Sequence, residues 1–386
     1  MQIPASTSTM PRSGIREIMD LALARPDTIR LELGEPDFPT PPNVVEAAAR
    51  AAAAGATKYS VTPGIPQLRE ALAEKIRTRN GFETRAEQVL VTSGAVQGIY
   101  VALVGLVDPG DEVLVPSPGW PNYQMMCRLL RATSVGYRLR AEDDYLPTVA
   151  DLEARVTPRT RAIVLNAPSN PLGSVFDADR LAEVVAWANG HGLWIVSDEC
   201  YDELTFDRPH VSTAVFDETD SVISVYSFSK TYAMTGWRIG YLALPQAVVS
   251  TLSNAHEAML SCVAMPTQYA ALEAVTGPQD VVTTMRAAYR TRRDTALAAL
   301  EERGIPAFRP EGAFYLWVDV SASGLRSDAF ARALVADAGV AVAPGTAFGS
   351  GGEGHVRISI ANGVDAVVEA IDRIGAAIDA RSVSAR

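Results

Sequence analysis

Lysine is scarce in this chain of 386 residues: Lys58, Lys75 and Lys230 are its whole supply, so nearly all of the 34 Lys+Arg positions are arginine. Cysteine is equally sparse. Cys127, Cys200 and Cys262 are odd in number, far apart and outside any CxxC spacing, which argues against structural disulfides and for a reducing compartment. The four histidines, His191, His210, His256 and His355, lack metal-ligand spacing, so no metal site is expected. Positive charge is in deficit as well. A formal charge of -11 disfavours a nucleic-acid partner, and any anion site must be built by local placement. No apolar run is long enough to span a bilayer, and Met1 to Gly14 is Ser/Thr/Pro-rich without the apolar core of a signal peptide. A cytoplasmic protein without membrane contacts is expected.

The hydrophobic fraction of 48% and charged fraction of 20% are ordinary globular values. Short β-branched runs predict strands at Val89 to Thr92, Glu112 to Pro116, Thr133 to Tyr137, Ala162 to Asn166, Leu193 to Ser197, Val222 to Tyr226 and Ile239 to Leu244. Helical patterns lie between them, notably Ala95 to Val107, Asp179 to Asn189 and Gln246 to Val275. These strands are too apolar for a sheet with one wet face. The expected fold is therefore α/β: a mostly parallel seven-stranded sheet covered by helices on both faces, plus a smaller α+β domain. After the Arg-rich helix Asp280 to Arg303 the rhythm changes to Ile305 to Phe308, Ala313 to Val320, Ser327 to Ala336, Val340 to Ala343, His355 to Ile360 and Val364 to Asp379. The division expected is 45–285 for the large domain, with 1–44 and 286–386 forming the small one. The tail from Ala380 is expected to fray.

Lys230 draws attention because the apolar run Val222 to Tyr226 delivers it to a strand end, beside Ser227 and Ser229 and eight residues before Arg238. Lys75 has a plain explanation, a wetted position beside the Leu68, Leu72, Ile76 stripe of a helix. A lysine at a buried strand end is costly to charge, which lowers its pKa and makes it a nucleophile suited to a Schiff base. A lysine snorkelling from a loop or paired with a carboxylate is the competing reading. Other strand ends are as unusual. Ser93-Gly94-Ala95-Val96 opens a helix whose free amides can hold a phosphate, Asn166 to Gly173 follows the Ala162 strand, and Asp198-Glu199-Cys200-Tyr201 follows the Leu193 strand. Singly, these read as a tight turn, a loop initiator and an N-cap, and Trp120 as a core aromatic. Together they describe one pocket. Asp198 can keep a pyridine nitrogen protonated, Asn170 and Tyr201 can donate to a phenolate oxygen, Trp120 can stack on the ring, and Arg238 with Ser227 can clamp a phosphate held by the Ala95 and Val96 amides.

An imine-forming lysine completes a pyridoxal phosphate site, and the ordered motifs resemble the class I/II aminotransferase family of fold type I pyridoxal-phosphate enzymes. The likeness rests on Leu33-Gly34-Glu35-Pro36-Asp37-Phe38, Lys58-Tyr59, Gly64 to Arg69, Ser229-Lys230 through Arg238-Ile239-Gly240, Pro310 to Tyr315, Val342 to Gly345 and His355 to Ser359. The resemblance implies that Lys230 carries the cofactor and then moves the substrate's α-proton, with Asp198 and Tyr201 tuning the ring. It implies a phosphate held by Ser227, Ser229, Arg238 and the Gly94-Ala95-Val96 turn. It also implies a homodimer in which Tyr59 reaches the neighbouring subunit's phosphate. Arg357 matches the arginine that takes the substrate carboxylate, assisted by the Gly34 backbone, Trp120 and Asn170. Amino acids and 2-oxo acids are the implied substrates, and Asn170-Pro171 is a cis candidate.

The chain departs from many aspartate-type relatives where the substrate side chain would lie. Val96 stands where they carry lysine, Leu172 where threonine is commoner, and Met259 to Met265 brings no cation. A neutral or apolar amino donor is expected, in a ping-pong transfer from an L-amino acid to a 2-oxo acid. Elimination at Cβ or decarboxylation in the same pocket is the alternative reaction. A pyridoxal-binding regulator is disfavoured by the 33 residues before Gly34 and the acidic charge, and Gly349 to Gly354 reads as a surface loop rather than a nucleotide motif.

Overall fold

The computed structural model describes residues 3–10 and 13–384. After the helix Gly14–Leu23 and strand β1 (Ile29–Arg30), the Pro-rich run crosses as bends to the helix Pro42–Ala53. Pro42 opens that helix, where a missing N–H costs nothing. Seven strands then build one sheet: β2 (Val89–Thr92), β3 (Glu112–Ser117), β4 (Thr133–Arg138), β5 (Thr160–Asn166), β6 (Trp194–Asp198), β7 (Val222–Ser227) and β8 (Gly240–Ala243). Their order is β2-β8-β7-β6-β5-β3-β4. β8 runs antiparallel to both neighbours and the other pairs are parallel.

Every position of β2, β3, β7 and β8 is buried, the expected consequence of helices on both faces. Alternation along β5 shows the two layers directly. Ile163 and Leu165 pack with Leu181, Val184 and Val185 of the helix Ala178–Gly190, whereas Ala162 and Val164 pack with Ile99, Ala102 and Leu103 of the helix Ala95–Leu106. Each of the Ile, Leu and Val side chains among them contributes roughly 1.5–3 kcal/mol when fully buried.

The C-terminal part holds β9 (Ala307–Phe308), β10 (Tyr315–Asp319), β11 (Val340–Ala341), β12 (Ala343–Pro344) and β13 (His355–Ser359). Four of these form an antiparallel sheet ordered β12-β13-β10-β9, and β1 pairs with β11 in a separate two-stranded ladder. The expected run Val340 to Ala343 is thus two strands. It changes partner at Val342, from β1 to β13.

Three other expectations are corrected. The helix expected over Gln246 to Val275 is broken into Val249–Leu260 and Met265–Thr276, because Ser261 turns to φ 66° and Pro266 starts the second helix. The closing helix continues through Ser384 rather than fraying from Ala380, while Ala385 and Arg386 lie outside the described residues. Lys75 is not wetted. It is buried in an ion pair with Asp202, donates to Asn80 at 2.8 Å and lies 4.9 Å from the centre of the Tyr226 ring. Burial opposes its charge, but Asp202 and Glu203 outweigh that and hold its pKa above the usual lysine value. Among the described residues no helix is long and apolar enough to cross a membrane.

Candidate active site

The carboxyl ends of β2, β5, β6 and β7 open on one cleft of about 780 Å³, where α/β sheets place ligands. Ala95, Val96, Trp120, Asn170, Asp198, Tyr201, Ser227, Ser229, Lys230, Arg238, Gly34 and Arg357 all line it. Gly94 is not among the lining residues but caps the helix that starts at Ala95. Tyr59 does not line the cleft: it is 89% exposed on this chain, free to meet another surface.

Lys230 sits in the single turn Phe228–Thr231 that follows β7. Its Nζ donates to the Gly34 carbonyl at 2.6 Å, a backbone acceptor rather than a carboxylate. Burial is the main influence that lowers its pKa from 10.5 to about 8, and the charges of Arg357 and Arg238 push in the same direction. The two buried lysines therefore diverge: acids hold the Lys75 proton more tightly than usual, whereas burial, opposed by Cys200 and Glu35 and aided by Arg357 and Arg238, loosens that of Lys230.

Asp198 ends β6 and is buried, which raises its pKa. The Tyr123 hydroxyl donates to its Oδ2 at 2.5 Å, and the Cys200 amide donates to Oδ1 at 3.3 Å. Asn166 fixes the neighbouring backbone: its side chain donates to the Asp198 carbonyl at 3.0 Å and accepts from the Asn170 amide at 2.8 Å. Trp120 packs edge-on against Tyr123 with ring centres 5.3 Å apart. The Asn170-Pro171 bond is cis, as are Ser117-Pro118 and Ala167-Pro168.

At the other end Gly94 caps the helix Ala95–Leu106 with φ 78° and no side-chain cap, so the first amides of that helix face the cleft. A Cβ at Gly94 would meet the Arg238 guanidinium at 2.6 Å, and one at Gly240 would meet the Ala95 nitrogen at 2.8 Å. Both glycines keep this cradle open. Arg238 adopts φ 51°, a left-handed conformation costly for an arginine, with Nη1 donating to the Thr235 carbonyl at 2.8 Å. The Ser227 hydroxyl accepts from the Ser229 amide at 3.1 Å.

Arg357 projects from β13 and is 2% exposed. It donates to Asn170 Oδ1 at 2.8 Å and to the Glu32 carbonyl at 2.6 Å, while its guanidinium lies 4.3 Å from the Tyr315 ring centre and 5.0 Å from that of Phe348. Burial lowers its pKa, yet a guanidinium stays charged across the physiological range. It is a preset fork for a planar carboxylate.

The donor set fits pyridoxal phosphate. A buried acid could hold a pyridinium nitrogen, helix amides with two serines and an arginine suit the phosphate, and an amine of lowered pKa shares the cleft with them and with Arg357. Sequence reasoning missed Tyr123, Asn166, Tyr315 and Arg16, all of which line the cleft. Asn166 was legible as the polar end of an apolar strand, and Tyr123 as an aromatic three residues after Trp120. Tyr315 and Arg16 gain meaning only from tertiary placement. The Arg16 guanidinium is exposed and contacts the Met19 sulfur at 3.5 Å.

Fold and site together define a fold type I pyridoxal-phosphate enzyme. Residues 26–374 match the family described as aminotransferase class I and II. The chain is 37% identical to an aspartate aminotransferase of Pyrococcus horikoshii over 95% of both proteins, and 38% identical to aromatic-amino-acid aminotransferase 2 of Thermococcus litoralis over 94% of both. A solved aspartate aminotransferase of Thermus thermophilus with maleate matches at TM-score 0.94 and 36% identity, over 98% of this chain and 100% of that one. The chain belongs to the class I and II aminotransferases and is a pyridoxal-phosphate-dependent aminotransferase.

Proposed function

We propose that the enzyme transfers an amino group from an L-amino acid with a neutral or apolar side chain to a 2-oxo acid in a ping-pong cycle. The observation that carries this is Lys230, whose amine has a lowered pKa and a backbone acceptor and shares one cleft with Arg357 and Asp198. The bound cofactor supplies the electron sink. Arg357 takes the substrate's α-carboxylate, with Asn170 and the Gly34 backbone beside it, and so aims the α-hydrogen at Lys230. Lys230 holds the cofactor, then removes that proton and returns it. Asp198 would keep the ring nitrogen protonated, Tyr201 and Asn170 would donate to the phenolic oxygen, Trp120 would stack on the ring, and Ser227, Ser229, Arg238 and the Ala95 and Val96 amides would hold the phosphate.

Apolar Ile15, Val96 and Ile99 on the cleft wall support the apolar donor. Arg16 supports a second reading, an acidic side chain, which also accords with the names of the aspartate aminotransferase relatives. A panel of amino donors mixed with the loaded enzyme separates the two by the rate of absorbance change in the half-reaction. Leucine-like or aromatic donors are expected to exceed aspartate and glutamate. The reverse order, abolished by Arg16→Ala, would establish the acidic reading. Release of ammonia and pyruvate without any dependence on a 2-oxo acid would overturn amino transfer altogether.

The same reading makes the enzyme a homodimer, supported by the exposed Tyr59. It assigns 45–285 to the cofactor-holding domain and 1–44 with 286–386 to the smaller one, supported by the pairing of β1 with β11. Three free cysteines support a cytoplasmic setting.

The lowered pKa of Lys230 carries its own test. Only the neutral amine attacks a carbonyl, and the neutral fraction grows as pH rises through the folded-state pKa. The rate at which the apoprotein takes up pyridoxal phosphate should therefore climb with pH and level off above about 8. A climb that continues past pH 10 would mean an ordinary, wetted lysine.

A further inference from the structure

Tyr315 has no role in the site as assembled so far, yet it touches two of its working parts. Its hydroxyl is 2.8 Å from the Tyr201 hydroxyl, both residues are buried, and the two rings meet edge-on at 5.9 Å. Its face carries the Arg357 guanidinium at 4.3 Å from the ring centre. Strand register explains the second contact. Tyr315 pairs with Ser359 and Trp317 with Arg357, so Tyr315 and Arg357 are diagonal neighbours across β10 and β13. Gly34 explains how the ring fits, since a Cβ there would lie 1.8 Å from the Tyr315 oxygen.

Two hydroxyls sharing one hydrogen bond leave a choice of donor. With Tyr201 giving its proton to the cofactor's phenolic oxygen, its own oxygen must accept from Tyr315. The cation over the Tyr315 ring draws electron density from it and strengthens it as a donor, and a donor chain of this kind polarises the next bond along. We propose that Tyr315 is a positioning residue, which turns the Tyr201 proton toward the cofactor's phenolic oxygen through its hydroxyl and seats Arg357 through its ring. The inference rests on the reading that Tyr201 faces that oxygen.

The two functions separate by substitution. Tyr315→Phe keeps the ring and loses the hydroxyl. Tyr201 then becomes a weaker donor, the phenolate form is less stabilised, and the pH midpoint of the bound cofactor's absorbance change should move upward by roughly half a unit. The KM for amino donors should stay nearly constant. Tyr315→Leu removes both contacts, so the same upward shift should be joined by a rise in KM for every donor. Tyr201→Phe serves as the reference and should move the midpoint further than either. A Tyr201→Phe midpoint identical to that of the unsubstituted enzyme would overturn the placement of Tyr201 and this inference with it. A shift in Tyr201→Phe without one in Tyr315→Phe would leave Tyr201 in place and overturn the role of Tyr315.

Discussion

Lys230→Ala should lower turnover with any amino donor by at least about 10³-fold, the scale of losing a positioned acid–base group together with the covalent anchor. The expectation comes from what stands near the missing amine. Lys75 is buried in its ion pair with Asp202, and Lys58 lies outside the residues lining the cleft, so neither can take over. Tyr201 is a neutral phenol whose pKa burial drives far above the ordinary value. Single-turnover kinetics with added cofactor would measure the loss. Borohydride reduction of the unsubstituted holoenzyme followed by peptide mapping should place the label on Lys230. Label on Lys58 or Lys75, or a loss of only a few-fold, would remove Lys230 from the chemistry.

The second large effect belongs to Arg357. Arg357→Ala should raise KM about 10²-fold for all amino donors while the cofactor stays bound, from the loss of a charge-assisted bidentate contact of roughly 2–4 kcal/mol. Its two present hydrogen bonds, to Asn170 and to the Glu32 carbonyl, hold the guanidinium before substrate arrives, so little ordering remains to be done on binding. Arg357→Lys should recover little of the loss, because an ammonium presents a point charge where a planar fork is needed. Titration with donors, read by absorbance, checks both variants. Cofactor loss in Arg357→Ala would put this arginine in the cofactor's binding site instead.

Much of this was legible because burial writes itself into apolar runs. Most strands of the large sheet were located from such runs, since strands covered on both faces leave few polar positions except at their ends; the edge strand β4, Thr133-Ser134-Val135-Gly136-Tyr137-Arg138 and largely unburied, showed only a weak β-branched signal. The polar ends were therefore conspicuous, and Asp198, Asn170 and Lys230 stood out for that reason. The break at Ser261 was missed because Ser261-Cys262-Val263 carries neither Gly nor Pro, and the one signal, Pro266, comes after the turn. Lys75 was misplaced for a different reason. Its partner Asp202 is 127 residues away, and a helix pattern reports which face is apolar but not what packs there. Tyr123, Tyr315 and Arg16 escaped likewise, as ordinary residues made significant by their neighbours in space.

One hydrogen bond has a meaning beyond geometry. Lys230 ties its amine to the Gly34 carbonyl, so the nitrogen proposed to engage the cofactor also links the N-terminal crossing to the end of β7. The same crossing is held on either side of Gly34, by Arg357 donating to the Glu32 carbonyl at 2.6 Å and by Thr40 donating to the Ala233 carbonyl at 2.6 Å. The N-terminal crossing is thus a wall of the cleft pinned from both β13 and the segment after β7, and a displacement of either would be felt at Gly34.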